Sequence, residues 1–262
     1  MRAALWRGGA LLGLFAAGVA AQAGWEIASS KRENSPDGKV AHWTTVMEEK
    51  ASGARATLHS AVFETKAATL RVIDQPTAPR RDLAEAMAES DALAGVNGGY
   101  FDPEDAPVGL LVSEGRVLSP LRKAKLLSGI LSARGNQIEI VRASNFKMSP
   151  KVQAALQCGP LLVDDARPVA GLNAIRPARR TFAALDGKGR VALGVSSAVS
   201  LAQLARILSL PHALGEMKIA RALNLDGGSS SAFWFAASEK NFSLPELKPV
   251  RDFVAIVPRP DR

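Results

Sequence analysis

Two short segments hold the residues best suited to chemistry. They are Asn97-Gly98-Gly99-Tyr100-Phe101-Asp102 and Asn224-Leu225-Asp226-Gly227-Gly228-Ser229-Ser230-Ser231, each following an apolar run. The paired glycines let the backbone turn sharply and let a ligand approach peptide N–H groups, as anion-binding turns require. An amide or carboxylate at the end of a rigid strand is placed where sheets present their ligand sites. Taken alone, each glycine pair reads first as structural, and an Asx cap of its own turn is the alternative role for Asp226.

Other candidates are weaker. Arg180, in Arg179-Arg180-Thr181, is a cation suited to a phosphate, with Arg179 as its rival. Tyr100 is the single tyrosine, suited either to the core or to stacking on a sugar ring. Asp102 and Glu114 are candidate second carboxylates, but Glu114 falls in a hairpin turn where solvation is the simpler fate. Cys158 is the single cysteine; with apolar neighbours and no nearby histidine it reads as structural rather than nucleophilic. It also excludes an internal disulfide and a thiolate metal site. His42, His59 and His212 have no metal-ligand spacing, so no metal residues are assigned.

The elements that must position these residues read as strands and hairpins with a few helices. Strands are expected at 54–62, 67–73, 92–96, 161–163, 181–185, 190–195, 220–225 and 253–257, and an extended apolar run at 230–235. Hairpins are expected around Ser113-Glu114-Gly115, joining 109–112 to 116–118, and around Arg134-Gly135-Asn136, joining 126–133 to 137–142. Helices are expected at 81–89, at 151–156 after Ser149-Pro150, and at 201–208 capped by Ser200. The pattern predicts an α+β single domain with a mixed, largely hairpin-connected sheet and a few packed helices.

The first residues are expected to be a secretion signal, residues 1–23. Arg2 and Arg7 precede an apolar stretch, and Ala21-Gln22-Ala23 offers a small-x-small cleavage pattern. Residues 24–53 read as an irregular, turn-rich lead-in with Asn34-Ser35-Pro36-Asp37-Gly38 at its centre, and residues 54–262 as the working domain. The chain carries +8; without Arg2 and Arg7, 31 cations oppose 25 acids, leaving about +6. The basic residues are scattered without an aromatic platform, which argues against nucleic acid and for an anionic envelope or a phosphate-bearing ligand. The expected location is periplasmic or secreted, with no stable membrane insertion after signal cleavage.

Four blocks together resemble the phosphodiester glycosidase family: Asn97-Gly98-Gly99-Tyr100-Phe101, Gly159-Pro160-Leu161-Leu162-Val163, Arg180-Thr181 and Asn224-Leu225-Asp226-Gly227-Gly228-Ser229-Ser230. They fall in the family's order and span residues 54–257. The resemblance implies hydrolysis of a sugar joined through its anomeric carbon to a phosphodiester. The chain departs from the family pattern at Ser229, where a third glycine is common, and at Phe182-Ala183-Ala184. Both departures bear on the substrate.

The implied chemistry is physically coherent. Ordinary glycosidases need two carboxylates because a sugar alcohol is a poor leaving group. A phosphate ester leaves far more readily, so one carboxylate at the anomeric carbon and one guanidinium on the phosphate would suffice. Asp226 and Arg180 are assigned these catalytic roles, with Asn97 orienting sugar or phosphate oxygens. Gly98, Gly99, Tyr100, Gly159, Thr181, Asn224, Gly227, Gly228, Ser229 and Ser230 are the expected substrate-binding residues. The expected partner is a small molecule or glycan carrying a phosphate, and no cofactor is required, a divalent ion beside Asp226 being the open alternative. A non-catalytic sugar-phosphate-binding protein of the envelope is the rival reading; a third, an interaction subunit of an envelope complex, requires an exposed apolar patch.

Overall fold

The computed structural model describes residues 24–259. In chain order the elements are β1 (Trp25–Asn34), β2 (Val40–Glu49), β3 (Arg55–Glu64), β4 (Ala68–Asp74), α1 (Leu83–Glu89), β5 (Ala94–Asn97), β6 (Leu111–Ser113), β7 (Arg116–Ser119), β8 (Gly129–Arg134) and β9 (Gln137–Arg142). They continue with β10 (Val152–Cys158), β11 (Leu161–Asp164), β12 (Arg167–Pro168), β13 (Ala178–Leu185), β14 (Arg190–Val199), α2 (Leu201–Leu208), β15 (Arg221–Asn224), β16 (Phe233–Phe235), β17 (Phe242–Leu244) and β18 (Asp252–Pro258). The protein is thus predominantly β, with two α-helices among the described residues and antiparallel strand pairing, rather than the expected α+β fold with a mixed sheet and a few packed helices. The expected signal segment, residues 1–23, lies outside the described residues.

Three antiparallel sheets share the strands. The largest runs β1-β2-β3-β14-β13-β15-β11-β12, the second β7-β6-β10-β8-β9 and the third β17-β16-β5-β18-β4. The main core draws Leu58, Phe182 and Leu193 from the first sheet, Leu131 and Leu156 from the second, and Val96 and Val254 from the third. Phe182, Phe233, Phe235 and Phe253 are fully buried, each contributing about 2–3 kcal/mol of apolar transfer. α1 closes the third sheet, where Leu83 and Met87 pack with Trp234 and Phe253.

Both helices begin with complete capping boxes. Ser200 caps α2 as expected, accepting from the Gln203 amide while the Gln203 side chain returns to the Ser200 N–H. For α1 the cap is Asp82, and the helix starts two residues later than the sequence suggested. The hairpin turns also form as expected, with Gly115 and Gly135 at φ +76° and +51°.

Two further expectations fail. Residues 24–53 are not an irregular lead-in but the hairpin β1–β2, and Ser35 closes its turn by accepting from the Gly38 and Val40 amides. β1 lies at the sheet edge and exposes a charged, polar surface, so its apolar alternation is weak in sequence. Residues 151–156 are not a helix: after a turn at Lys151 they form most of β10, which pairs with β6 on one side and β8 on the other. Ala154, Ala155 and Leu156 suit a helix locally; burial on both faces of a central strand overrides that preference.

Candidate active site

The two glycine turns meet where the first and third sheets abut. β5 delivers Asn97 and β15 delivers Asn224, followed by Asp226. Four hydrogen bonds lock them together. The Asp226 amide donates to the Gly98 carbonyl (3.1 Å), and the Asn97 side-chain amide donates to the Asp226 carbonyl (2.8 Å). The Thr181 hydroxyl and the Ala232 amide donate to Asn97 Oδ1 at 2.7 and 3.0 Å.

This wiring changes the reading of Asn97. Its side chain is fully buried and spends its oxygen on two donors, so it braces the site and does not face a ligand. Thr181 is equally sealed. The Gly98 amide donates to the Asp252 carbonyl (2.8 Å), the Gly99 amide to Asp252 Oδ1 (2.9 Å) and the Gly227 amide to Asp226 Oδ1 (2.9 Å). These N–H groups are therefore engaged within the protein, and the expectation that the Gly98 and Gly227 amides orient ligand oxygens is corrected.

Behind the turns lies a second layer of wiring. Asn224 donates to the Gly159 carbonyl (3.0 Å) and to Tyr100 Oη (3.1 Å), and Tyr100 donates to the same carbonyl (2.5 Å). Burial raises the Tyr100 hydroxyl well above the usual phenol range, with Cys158 and Asp226 adding to the effect, so it stays protonated. Cys158 is wholly buried, and that burial raises its thiol strongly, which fits the structural reading.

Asp226 is the carboxylate left partly open. Burial raises its pKa, while the Ser230 hydroxyl, the Gly227 amide and the Lys248 ammonium pull it back. Arg180 is half-buried and anchored by Nε to the Val199 carbonyl (3.1 Å) and by Nη2 to the Arg176 carbonyl (2.6 Å). Its Cδ and Nη1 stand 3.8 and 3.9 Å from where a side chain on Gly227 would begin, so Arg180 lies beside the Asp226 turn. Arg179 instead braces neighbouring loops through the Ser231 and Pro245 carbonyls. Gly228 and Ser229 continue the turn, with Ser229 exposed and its carbonyl accepting from the Leu247 amide (2.8 Å).

Lys248 and Asp252 belong to this site although the sequence did not single them out. Lys248 sits over the Phe101 ring, 4.9 Å from its centroid, besides acting on Asp226. Asp252 is wholly buried beneath Gly98-Gly99, and that burial raises its carboxyl to about 7. It opens β18, whose apolar run is visible in the sequence, but nothing local marks the acid as a partner of residues 98 and 99. The other acids singled out do different work: Asp102 accepts from the Glu104 and Ala106 amides, and Glu114 faces Arg116 at the surface. Among the described residues, no group of three His, Cys, Asp or Glu side chains is placed to hold a metal ion.

The uncharacterized Escherichia coli (strain K12) protein YigE is 30% identical over 90 residues, covering 32% of this chain and 35% of that protein. The match thus spans about a third of that relative's length. A protein of Synechocystis of solved structure superposes with a TM-score of 0.64 at 15% identity, over 88% of this chain and 64% of that one. The catalytic domain of zebrafish N-acetylglucosamine-1-phosphodiester alpha-N-acetylglucosaminidase, auto-inhibited by its pro-peptide, gives 0.61 at 14% identity over 88% of both chains. Residues 90–257 match the phosphodiester glycosidase profile, a span that contains both glycine turns, Arg180, Lys248 and Asp252, and the chain belongs to the phosphodiester glycosidase family.

Proposed function

We propose that the protein is a hydrolase that cleaves the bond between a sugar's anomeric carbon and a phosphodiester, on an exported glycan, lipid or envelope substrate. The observation that carries this reading is the setting of Asp226: a partly buried carboxylate just past a strand end, with the Lys248 ammonium acting on it and the Arg180 side chain beside the adjoining Gly227. In this reading Asp226 meets the positive charge that develops at the anomeric carbon. Arg180 and Lys248 hold the phosphate and stabilise it as it leaves, which removes the need for a second carboxylate to protonate the departing oxygen.

Asn97, Thr181, Asn224 and Gly159 position rather than contact. They fix the Asp226 turn against β5 and the Tyr100 hydroxyl, so that the carboxylate is pre-aligned and costs little reorganisation during reaction. In this reading Tyr100, Gly228 and the exposed Ser229 border the sugar, while the buried Ser230 hydroxyl steadies the carboxylate. Partial burial of Asp226 strengthens its electrostatic effect on a cationic carbon compared with a solvated acid. The chemistry uses no cofactor. The basic surface and the sequence of residues 1–23 support a place in the periplasm or outside the cell.

The zebrafish relative's name points to a first substrate. Incubation with an N-acetylglucosamine-1-phosphodiester should release free sugar with saturation kinetics. Saturable binding without release would instead identify a sugar-phosphate-binding protein and sink the hydrolase reading.

A further inference from the structure

Outside the site, one stretch of surface combines features that a water-facing loop has no reason to combine. Of eight exposed large hydrophobic residues among the described residues, five fall between 108 and 126: Val108, Val117, Leu118, Leu121 and Leu126. Residues 114–126 are exposed throughout except Ser119. The same residues include Arg116, Arg122, Lys123 and Lys125 against one acid, Glu114, leaving a net charge of +3. Glu114 is matched to Arg116, whereas among the described residues no carboxylate is bridged to Arg122, Lys123 or Lys125.

The stretch is built, not loose. Gln157, buried on β10, accepts from the Arg122 amide (3.0 Å) and donates to the Arg122 and Leu127 carbonyls at 2.7 and 3.0 Å. The Ser119 hydroxyl donates to the Pro107 carbonyl (3.2 Å). These tethers hold the backbone down while the leucines and cations remain outside. The stretch also borders the candidate active site: the Leu126 carbonyl packs so tightly on Gly159 that a side chain there would begin 2.2 Å from it, and the Gly159 carbonyl accepts from Tyr100.

We infer that residues 116–126 form a docking surface for an anionic lipid bilayer, with Leu118, Leu121 and Leu126 entering the interface and Arg122, Lys123 and Lys125 meeting the headgroups. Exposed leucines gain from leaving water only where an apolar phase is within reach, and cations beside them gain only where that phase carries negative charge. An acidic polymer would satisfy the cations and leave the leucines in water, so the combination selects lipid. Docking here is peripheral and reversible, a few residues deep, and sets the candidate active site beside the membrane face. It does not depend on catalysis, since an inert chain would dock equally.

The test places an environment-sensitive fluorophore on the full chain at Leu121→Cys; Cys158 is buried and does not compete for the label. A second probe at Ser52→Cys, in the turn between β2 and β3, serves as the reference. Vesicles of phosphatidylcholine with phosphatidylglycerol should shift the residue 121 probe to the blue and leave the residue 52 probe unchanged, and phosphatidylcholine alone should shift neither probe. In the labelled background, Arg122→Gln, Lys123→Gln and Lys125→Gln together should weaken the vesicle affinity roughly 100-fold, a factor of about five per cation. Leu118→Ser with Leu126→Ser should weaken it with the same charge, and an unchanged melting temperature shows that each variant is folded. Absence of a blue shift at residue 121 overturns the inference. So does binding that the charge variant abolishes and the leucine variant leaves intact, which would identify an acidic polymer as the partner.

Discussion

The two glycine turns look alike in sequence and do opposite jobs. Around Asn97 everything is closed: the side chain is fully buried, and Gly98 and Gly99 rest on Asp252 so closely that a side chain on Gly98 would begin 1.8 Å from its carboxylate. Around Asp226 the turn is open, with the carboxylate partly exposed and Gly228, at φ +65°, facing no atom within 4 Å. The glycines serve close packing in the first turn, whereas in the second Gly228 supplies a left-handed backbone beside the extended, closely packed Gly227. The comparison teaches that a shared motif needs only one reactive member; the other can act as the mould that holds it.

Breaking the open turn should cost activity, and breaking the closed one should cost stability. The largest effect is expected for Asp226→Asn. Turnover of the phosphodiester should fall by roughly 10³-fold or more, with the melting temperature nearly unchanged. A fully active variant would remove Asp226 from the reaction.

Gly98→Ala comes next, because its methyl group has no room beside Asp252; a loss of about 3–5 kcal/mol in denaturant unfolding is expected. Gly228→Ala supplies the contrast, costing about 1 kcal/mol for its backbone conformation alone. Equal losses at both positions would erase the distinction between the turns. Asn97→Ala should cost about 2–4 kcal/mol, since it strands the Ala232 amide and the Thr181 hydroxyl without their acceptor.

The smallest effect sharpens the role of Asp252. Its folded carboxyl, raised to about 7 from an ordinary 3.8, prefers to be neutral, so its contribution to stability is complete below about pH 4 and is lost as pH rises through 7. His42, lowered by burial and by His59 from 6.5 to about 4, has the opposite slope, losing stability as pH falls through that window. The quantity to read is therefore the difference between the wild-type chain and Asp252→Asn. Between pH 4 and 7 the wild-type melting temperature should drop relative to the variant, by roughly 2–4 °C per kcal/mol. Parallel curves would show that Asp252 is ionised throughout.

Much of this was legible before any coordinates. α2 with its Ser200 cap, the Gly115 and Gly135 hairpins, and the strands leading into both turns follow from local pattern, because capping chemistry, positive-φ glycines and apolar runs act over a few residues. The β1–β2 hairpin and β10 were not legible. An edge strand bears a polar face that resembles a loop, and a central strand rich in alanine and leucine takes its state from the neighbours it pairs with.

The sequence by itself determined the chemical inventory: which side chains are acids, amides and cations, and which short segments turn. Only the tertiary structure decided their duties, by sealing Asn97, turning Arg179 toward loop carbonyls and Arg180 toward Gly227, and bringing Lys248 and Asp252 to turns far away in the chain. The physical reason is that exposure and hydrogen-bond partnership depend on which strands lie side by side, and that is settled by burial of the whole core rather than by any residue's neighbours in sequence.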